Sequence, residues 1–248
     1  MAKDLFSEQS KLYAQFRPTY PQKLFDYILE FVEGKKTAWD CATGNGQAAT
    51  VLAEYFEKVE ASDISEAQIS NAVKRENIEY HICSAEKTPF FENSFDLITV
   101  AQAYHWLNWK EFHTEATRVG KRNAVVAIWT YNALVSDDEK LNAITQHFYR
   151  DITGPYWDKE RKYVDEEYST VVFDFEELPS QKFQTVVKWN KEQLEGFFQS
   201  WSAVRNYIKA NKHNPVDLVK KDIDAVWSNG NQKEFHFPIF LRIGRIIK

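Results

Sequence analysis

An acidic residue followed by a glycine-flanked turn is the first feature of the sequence that points to ligand chemistry. In the stretch WDCATGNGQA, Asp40 closes an apolar run, and Gly44 and Gly46 follow in a short polar turn. Glycines at such a point of an α/β sheet let the backbone approach a ligand beyond the strand ends. Ala49 stands where a dinucleotide-binding motif has its third glycine, and the Asp40 carboxylate would repel a pyrophosphate. The stretch therefore favours a ligand with an ammonium group over one with phosphates.

Two further strand ends extend the description of this ligand. Asp63 closes the apolar run KVEASD, where a carboxylate can accept hydrogen bonds from both hydroxyls of a ribose. Ala85 and Glu86 follow the run EYHICS, where an adenine would lie. An amine, a ribose and a purine together describe S-adenosylmethionine. Taken singly, the residues have simpler explanations: a tight turn for the glycines, a helix N-cap for Asp63 and a solvated surface acid for Glu86.

The elements that must position these residues are short apolar runs that alternate with helical stretches. The runs TAWDCA, KVEASD, EYHICS, SFDLITVAQA and NAVVAIWTY are typical of buried strands. Between them, segments such as PQKLFDYILEFV and GQAATVLAEYF have apolar residues at helical spacing. Strands and helices in alternation predict an α/β fold with a parallel sheet covered on both faces. After Tyr131 the chain becomes helical and rich in aromatic residues, and EFHFPIFLRIGRIIK closes it as a last strand.

Several motifs in the same order resemble a known family. The segments DCATGNGQ, ASDIS and SAEKTPFFENSFDLITVAQAYHWLNW are similar to the class I S-adenosylmethionine-dependent methyltransferases, and more narrowly to the type 11 or trans-aconitate methyltransferase-like subgroup. The resemblance implies a Rossmann-like doubly wound seven-stranded sheet in the order 3-2-1-4-5-7-6, with the last strand antiparallel and a helical lid insertion after the fifth strand. It also implies that Asp40, Gly44, Gly46 and Gln102 hold the methionine part. Asp63 would hold the ribose, and Ala85 and Glu86 would meet the adenine.

We expect one methyltransferase domain over residues 1–248. Within it, residues 1–35 form an N-terminal flap and helix, and residues 36–131 form the cofactor-binding core. Residues 132–180 form the helical lid insertion, and residues 181–248 supply C-terminal strands and helices that complete the sheet. Two separate domains are the alternative.

The segment AQAYHWLNW, after the fourth run, carries the candidate methyl-transfer residues. Methyl transfer from a sulfonium is an in-line displacement, so alignment and exclusion of water matter more than a catalytic triad. Aromatic faces stabilise a cation, and a histidine can orient the acceptor or take a proton. We expect Tyr104 and His105 to be catalytic and Trp106 to bind substrate. Packing of the following helix is the alternative for Trp106 and Trp109.

Two segments outside these motifs also resemble the subgroup. YAQFRPTYP resembles its usual opening, which implies that Tyr13, Arg17 and Tyr20 fold over the cofactor as a flap, with Tyr20 on the substrate side. Arg17 would hold the methionine carboxylate or an acidic substrate, because a guanidinium pairs bidentately with a carboxylate. SWSAVRNYI implies that Trp201 and Arg205 line the substrate side. A surface ion pair is the alternative for Arg17, and helix packing is the alternative for Trp201.

Composition and missing motifs exclude several classes of partner. A net charge of −5 provides no basic face for a phosphate backbone, and AQAY stands where methyltransferases of DNA bases have an Asn/Asp-Pro-Pro-Tyr type motif. We therefore expect no nucleic-acid partner. Cys41 and Cys83 match no metal-binding spacing and are expected to be reduced and structural, so we expect no metal site. The sequence lacks a signal-peptide pattern and a long apolar stretch, which predicts a cytoplasmic protein without a membrane span.

The favoured function is methyl transfer from S-adenosylmethionine to a small molecule, with a carboxylate or hydroxyl oxygen as the first acceptor to test. A nicotinamide-dependent oxidoreductase is a weaker alternative, because Asp40 and Ala49 depart from the dinucleotide motif. A protein that binds the cofactor without turnover, or a scaffold for a protein partner, is the alternative outside enzymes. The sequence encodes neither the identity of the acceptor nor the oligomeric state.

Overall fold

One mixed β-sheet forms the centre of the protein. The computed structural model describes residues 16–227 and 230–248. The longer strands are β1 (Thr37–Cys41), β2 (Lys58–Asp63), β3 (Ile78–Ile82), β4 (Phe95–Ala101), β5 (Gly120–Tyr131), β8 (Lys182–Trp189) and β9 (Lys233–Arg245). Two strands of two residues each, β6 (Val135–Ser136) and β7 (Glu176–Glu177), also pair with β9. The longer strands lie in the order β3-β2-β1-β4-β5-β9-β8.

The observed sheet confirms the predicted fold class. Strands β1 to β5 are mutually parallel, whereas β9 runs antiparallel to both β5 and β8. The predicted order of seven strands is therefore found, with β9 as the seventh strand between the fifth and the sixth. The count rises to nine because the short strands β6 and β7 extend the pairing along the edges of β9.

Helices cover both faces of this sheet. They are α1 (Gln22–Glu30), α2 (Gln47–Leu52), α3 (Glu66–Ser70), α4 (Trp109–Val119), α5 (Glu139–His147), α6 (Arg161–Asp165), α7 (Lys191–Gln199), α8 (Ser202–Asn211) and α9 (Val216–Val226). Short 3-10 turns occupy Tyr104–Trp106 and Gly154–Tyr156, and a π-helical turn occupies Phe148–Ile152. Within the described ranges, none of the helices is long and apolar enough to cross a membrane.

Side chains that alternate between the two faces of the sheet form two apolar cores, one on each face. Ala38 and Leu97 point to the face covered by α1 and α2, whereas Trp39 and Ile98 point to the face covered by α4. Successive side chains of a strand point to opposite faces, so a fully buried strand needs apolar residues at nearly every position. This requirement explains the continuous apolar runs of the sequence, and it fixes which strand residues reach the ligand edge of the sheet.

The segment KEQLEGFFQSWSAVRNYIKAN, which the sequence suggests to be helical, contains two helices. Helix α7 ends at Gln199, and the Ser200 hydroxyl donates to the Phe197 carbonyl at 2.6 Å. Such a side-chain bond competes with continuation of the helical hydrogen bonds. Trp201 adopts an extended conformation with ψ of 137°, and α8 begins after it. Because the helix is interrupted here, the Trp201 side chain packs within a cluster of aromatic side chains.

Candidate functional site

A cavity of about 390 Å³ opens where β1 to β4 end. Residues 42–45, 63–64, 85–86 and 101–103, which follow these four strands in turn, form its wall together with Tyr20, Trp106 and residues 158–160. The last segment lies between β6 and β7, far along the chain from the strand ends. Ligands of open α/β sheets bind at this edge, where the carboxyl ends of parallel strands meet. The cavity is therefore the natural ligand site of the fold.

The backbone around the cavity adopts conformations that leave its polar groups accessible. Ala42, Gly44 and Gln102 all line the cavity and have positive φ angles of 52°, 58° and 58°. Non-glycine residues rarely adopt this left-handed conformation, and such strain clusters at functional sites. Two side-chain interactions hold Gln102 in place: it accepts from the Thr130 hydroxyl at 2.8 Å and donates to the Tyr131 carbonyl at 3.4 Å.

Asp63 is one of the carboxylates on the cavity wall. One carboxylate oxygen accepts from the Gly44 amide at 2.9 Å, and the other accepts from the Ser65 amide at 2.8 Å. Each oxygen can accept a second hydrogen bond, because an ionised carboxylate has about four acceptor sites. These two amides fix the orientation of the carboxylate on the cavity wall. The predicted contact with a ribose remains a prediction, and the geometry supports it.

Asp40 behaves differently, although it also lies at a strand end. Its side chain is 1% exposed and does not belong to the cavity wall. It accepts hydrogen bonds from the Thr43 and Thr99 hydroxyls and from the Ala49 amide. Burial raises the pKa of Asp40 to about 6, against the lowering effect of these bonds. Within the described structure, the buried Asp40 carboxylate stabilises the turn by accepting hydrogen bonds from Thr43 and Ala49. This burial does not favour the predicted direct contact with an ammonium group.

The raised pKa of Asp40 predicts a specific dependence of stability on pH. The folded protein holds this proton more tightly than the unfolded chain, whose Asp titrates near 3.8. The contribution of Asp40 to stability is therefore complete below pH 3.8 and is lost as pH rises through about 6. We expect wild type to lose on the order of 3 kcal/mol relative to Asp40→Asn between about pH 4 and about pH 8. Denaturant unfolding across this range measures the difference, and parallel profiles for the two proteins would contradict it.

The turn after β3 contributes a second carboxylate to the cavity wall. Glu86 accepts from the Ser84 hydroxyl within the turn, and its other oxygen accepts from the Asn108 amide at 3.0 Å. Ala85 is 6% exposed and lines the cavity beside it. Glu86 thus joins the turn after β3 to the segment after β4. It is a structured part of the cavity, not an isolated surface acid.

Comparisons with known proteins give this geometry a family. A family model described as a methyltransferase domain matches residues 39–128. A candidate methyltransferase of Dictyostelium discoideum is 33% identical over 98% of this chain and 95% of its own length. A solved structure from Anaeromyxobacter dehalogenans, described as a candidate type II methyltransferase, is also 33% identical, with a TM-score of 0.86 over 94% of this chain and 99% of that one.

The chain belongs to the class I S-adenosylmethionine-dependent methyltransferases. A Saccharomyces cerevisiae protein named as a probable S-adenosylmethionine-dependent methyltransferase is 24% identical over 84% of this chain and 83% of its own length. The narrower resemblance to trans-aconitate methyltransferases remains a prediction.

S-adenosylmethionine, the cofactor of this methyltransferase, fits the residues that line the cavity. Lys159 is the one lysine or arginine among the described lining residues, and its side chain is 90% exposed. The wall therefore lacks a buried cation for a pyrophosphate, but it has carboxylates suited to a ligand that carries a sulfonium and an ammonium. Asp63 would hold the ribose, and Ala85 and Glu86 would hold the adenine. When bound, the cofactor supplies an electrophilic methyl group.

Tyr104, one of the two predicted catalytic residues, faces a core instead of the cavity. Its side chain is fully buried on the α4 face of the sheet. The hydroxyl donates to the Val172 carbonyl at 2.6 Å and lies 2.7 Å from Nε2 of His113. Burial raises the pKa of Tyr104 above its usual range. Trp109 stacks on the Tyr104 ring and donates to its carbonyl, as expected for packing of the following helix.

His105 is also turned away from the cavity. Its Nδ1 lies 2.8 Å from the Tyr168 hydroxyl, and its side chain is buried. Burial, aided by the positive charge of Arg161, lowers the pKa of His105 to about 3, so the ring is neutral near pH 7. Neither Tyr104 nor His105 belongs to the described cavity wall. The predicted catalytic roles therefore lack geometric support, because the 3-10 turn after β4 directs both side chains into the core.

This placement predicts that Tyr104→Phe impairs stability and spares cofactor binding. The variant leaves Nε2 of the buried His113 without the hydroxyl 2.7 Å away, and an unsatisfied buried polar group costs about 1–3 kcal/mol of unfolding free energy. We expect the dissociation constant for S-adenosylhomocysteine to change by less than about twofold, because the residue lies outside the cavity wall. Denaturant unfolding and calorimetric titration measure the two effects. Weakened binding with unchanged stability would instead support a pocket role for Tyr104.

The predicted substrate-side residues divide into two groups. Tyr20 and Trp106 line the cavity, and Tyr20 packs edge-on against Trp129 with ring centroids 5.3 Å apart. Arg17 instead donates to the Tyr131 hydroxyl and the Ser200 carbonyl, both at 3.1 Å. Because the Arg17 guanidinium makes these hydrogen bonds within the protein, its predicted contact with the carboxylate of the cofactor or of an acidic substrate is not favoured. Tyr13, the other predicted flap residue, lies outside the described residues.

The two predicted residues near α8 also lie outside the described cavity wall. Trp201 is 3% exposed and packs among aromatic rings, with Phe198 at 4.9 Å and Trp157 at 5.4 Å between centroids. This is the helix-packing alternative for Trp201. Arg205 stands on the first turn of α8 and is not part of the cavity wall. A substrate contact by either residue remains a prediction without support from this geometry.

Sequence reasoning missed residues that reach the cavity from outside the motifs. Residues 158–160 come from the segment YWDKER, whose charged composition indicates only a solvated loop or lid. Cys83 lines the cavity and is unpaired, as is the buried Cys41. Burial raises the pKa of both thiols. The position of Cys83 directly after β3 was the available signal, since that strand end also carries Ala85 and Glu86.

Proposed function

We propose that this methyltransferase methylates a small molecule, and that the acceptor atom is a hydroxyl oxygen. The observation that supports a small molecule is the form of the site. Strand ends and residues 158–160 enclose one cavity of about 390 Å³, which suits a cofactor and a compact acceptor better than a macromolecule. Tyr20 and Trp106 give this cavity apolar walls that can exclude water around the transferred methyl group.

The charges of the cavity wall favour a hydroxyl over a carboxylate as the acceptor. Asp63, Glu86, Asp158 and Glu160 supply four carboxylates, whereas Lys159 is the one lysine or arginine among the described lining residues. Lys159 lies 3.9 Å from a Glu160 oxygen and is largely exposed to solvent, which screens its charge. An acidic acceptor would meet repulsion from the wall, because like charges in a confined site disfavour each other. A neutral hydroxyl compound avoids this repulsion.

Calorimetric titration with S-adenosylmethionine, S-adenosylhomocysteine and NAD tests the cofactor part of this proposal. We expect the first two to bind and NAD not to bind. Binding of NAD alone would overturn the assignment of the cavity.

A panel of matched compounds tests the acceptor. Each carbon skeleton is offered as an alcohol or phenol and as the corresponding carboxylic acid, and release of S-adenosylhomocysteine is measured. We expect turnover of hydroxyl compounds and none of their acid counterparts. Methylation confined to the acids would show that the acceptor class is wrong. Cofactor binding without product above the uncatalysed rate would instead support a binding protein that has lost turnover.

A further inference from the structure

The segment around Asp158 forms a fixed part of the cavity wall. Trp157 packs against Trp201, with ring centroids 5.4 Å apart, and the Arg161 guanidinium lies over the Trp157 ring at 4.6 Å. The Tyr156 carbonyl accepts from the Asn206 side chain at 3.0 Å. These contacts tie the residues before Asp158 to Trp201 and α8, and Arg161 packs on the same residues from the other side of Asp158. Its position at the cavity is therefore set by packing.

Asp158 carries a polar atom that the described protein leaves unsatisfied. Its Oδ2 is buried and has no hydrogen-bond partner within residues 16–227 and 230–248. The backbone carbonyl of Asp158 accepts from the Arg161 amide at 2.9 Å. Burying a carboxylate oxygen without a donor is costly, so the missing donor is expected from a ligand, an ion or an ordered water. Because Asp158 lines the cavity, a ligand bound there is one such donor.

The neighbouring cations are directed elsewhere. Arg161 donates to the Tyr149 hydroxyl at 2.8 Å and pairs with Asp165 at 3.4 Å. Lys159 is largely exposed, and its nearest carboxylate partner, at 3.9 Å, is Glu160. Asp63 accepts from the Gly44 and Ser65 amides, and Glu86 accepts from the Asn108 amide. Asp158 differs from these two carboxylates, because its Oδ2 has no partner among the described residues.

The origin of Asp158 in the chain separates it from the cofactor residues. Asp63 and Glu86 follow β2 and β3, whereas Asp158 reaches the cavity from the segment between β6 and β7. The helix that follows it, α6, packs near the turn Tyr104–Trp106, which brings Trp106 to the same cavity. Asp158 therefore reaches the cavity from a segment that carries none of the residues predicted to hold the cofactor. Such a segment is available to contact the methyl acceptor.

We propose that Asp158 is a specificity-determining residue that accepts a hydrogen bond from the methyl acceptor. The acceptor molecule would then carry a hydroxyl or protonated amine as donor, and carboxylic acids would be rejected by the charge of Asp158. This inference rests on the proposed function, because it assigns a partner to one residue of the same cavity. The inference adds a requirement to the proposed function: the molecule that receives the methyl group must carry a hydrogen-bond donor. Methyl transfer by itself does not require one.

Binding of cofactor analogues to Asp158→Asn tests this proposal without a known substrate. Sinefungin resembles S-adenosylmethionine but has an amino group on a carbon in place of the methylated sulfur, so its ammonium lies where the methyl group meets the acceptor. S-adenosylhomocysteine lacks that donor and is otherwise similar. We expect Asp158→Asn to weaken sinefungin about tenfold or more, as for loss of a charge-assisted hydrogen bond, and to change S-adenosylhomocysteine by less than about twofold.

Two further variants make the result decisive. Asp158→Ala removes both side-chain oxygens and should weaken sinefungin at least as much as Asp158→Asn does. Asp151→Asn is the matched control, because it removes the same charge from the same insertion at an exposed residue outside the cavity wall. It should leave both affinities unchanged. Melting temperatures of all the variants show whether each one is folded.

Each remaining outcome counts against a specific claim. Equal weakening of both ligands would place Asp158 on the shared amino-acid part of the cofactor and overturn the proposal. Unchanged binding of both ligands to the Asp158 variants would overturn it as well. Failure of wild type to bind either ligand would instead overturn the proposed function, and this inference with it. Measuring wild type beside the variants therefore separates the two failures.

Discussion

Asp63→Ala is expected to weaken S-adenosylhomocysteine binding by about a hundredfold. Two charge-assisted hydrogen bonds to the ribose hydroxyls would be lost, and each contributes about 1.5–3 kcal/mol when the acceptor is ionised. The Asp63 oxygens are held by the Gly44 and Ser65 amides at 2.9 and 2.8 Å, so little ordering is needed on binding. Loss of the carboxylate also releases the Gly44 amide, which loosens the turn against the ligand.

Calorimetric titration of wild type and variant measures this effect. Glu76→Ala is the control, because Glu76 is an exposed carboxylate between α3 and β3 that does not line the cavity. Its affinity should equal that of wild type. Unchanged affinity of Asp63→Ala would show that Asp63 does not contact the ribose. Its role would then be limited to the hydrogen bond that holds the Gly44 turn.

Gly46→Ala is expected to lower the free energy of unfolding by about 2–5 kcal/mol, through two separate penalties. Gly46 has a φ of 84°, and a side chain in the left-handed region costs about 1–2 kcal/mol. A Cβ at this position would also overlap the Tyr80 hydroxyl oxygen, with the ring Cζ at 3.3 Å. Overpacking of this kind costs about 1–3 kcal/mol. Tyr80 cannot withdraw freely, because its hydroxyl donates to the Val73 carbonyl at 2.7 Å.

Gly44→Ala provides a matched comparison that separates the two penalties. Gly44 has a φ of 58°, but a Cβ there would meet nothing closer than the Gln68 side-chain oxygen at 4.0 Å. We therefore expect only the backbone penalty of about 1–2 kcal/mol. The double variant Gly46→Ala/Tyr80→Phe should regain part of the loss, because the overlapping oxygen is gone. Denaturant unfolding measures all four proteins, and equal losses for the two glycine variants would show that Tyr80 does not constrain the turn.

The sheet, and the positions at its edge of the residues proposed to hold the cofactor, could be predicted because they depend on local patterns. Apolar runs such as TAWDCA and KVEASD mark the strands, and the residue that closes a parallel strand must lie at the ligand edge. Asp63 and Glu86 are found on the cavity wall for this reason. Gly44 and Gly46 adopt the left-handed conformations that suit residues without a Cβ. Family resemblance added the strand order, which periodicity does not encode.

The direction of individual side chains could not be predicted in this way. Asp40 and Asp63 close neighbouring strands, yet Thr99 of β4 and the start of α2 enclose Asp40, whereas Asp63 remains on the cavity wall. Tyr104 and His105 follow β4 as expected, but their side chains enter the core that contains Tyr168. In each case the deciding contacts come from residues far along the chain.

The sequence by itself determined the α/β fold, the cofactor class and the strand ends that carry the ligand residues. These follow from spacing along the chain, because strand alternation, helical periodicity and turn conformation are local properties. Only the tertiary structure decided which side chains at those strand ends face the cavity and which are buried. It also brought Asp158, about a hundred residues from Asp63, to the same wall with an oxygen that lacks a donor among the described residues. Such pairings arise from packing between distant segments, which no local pattern encodes.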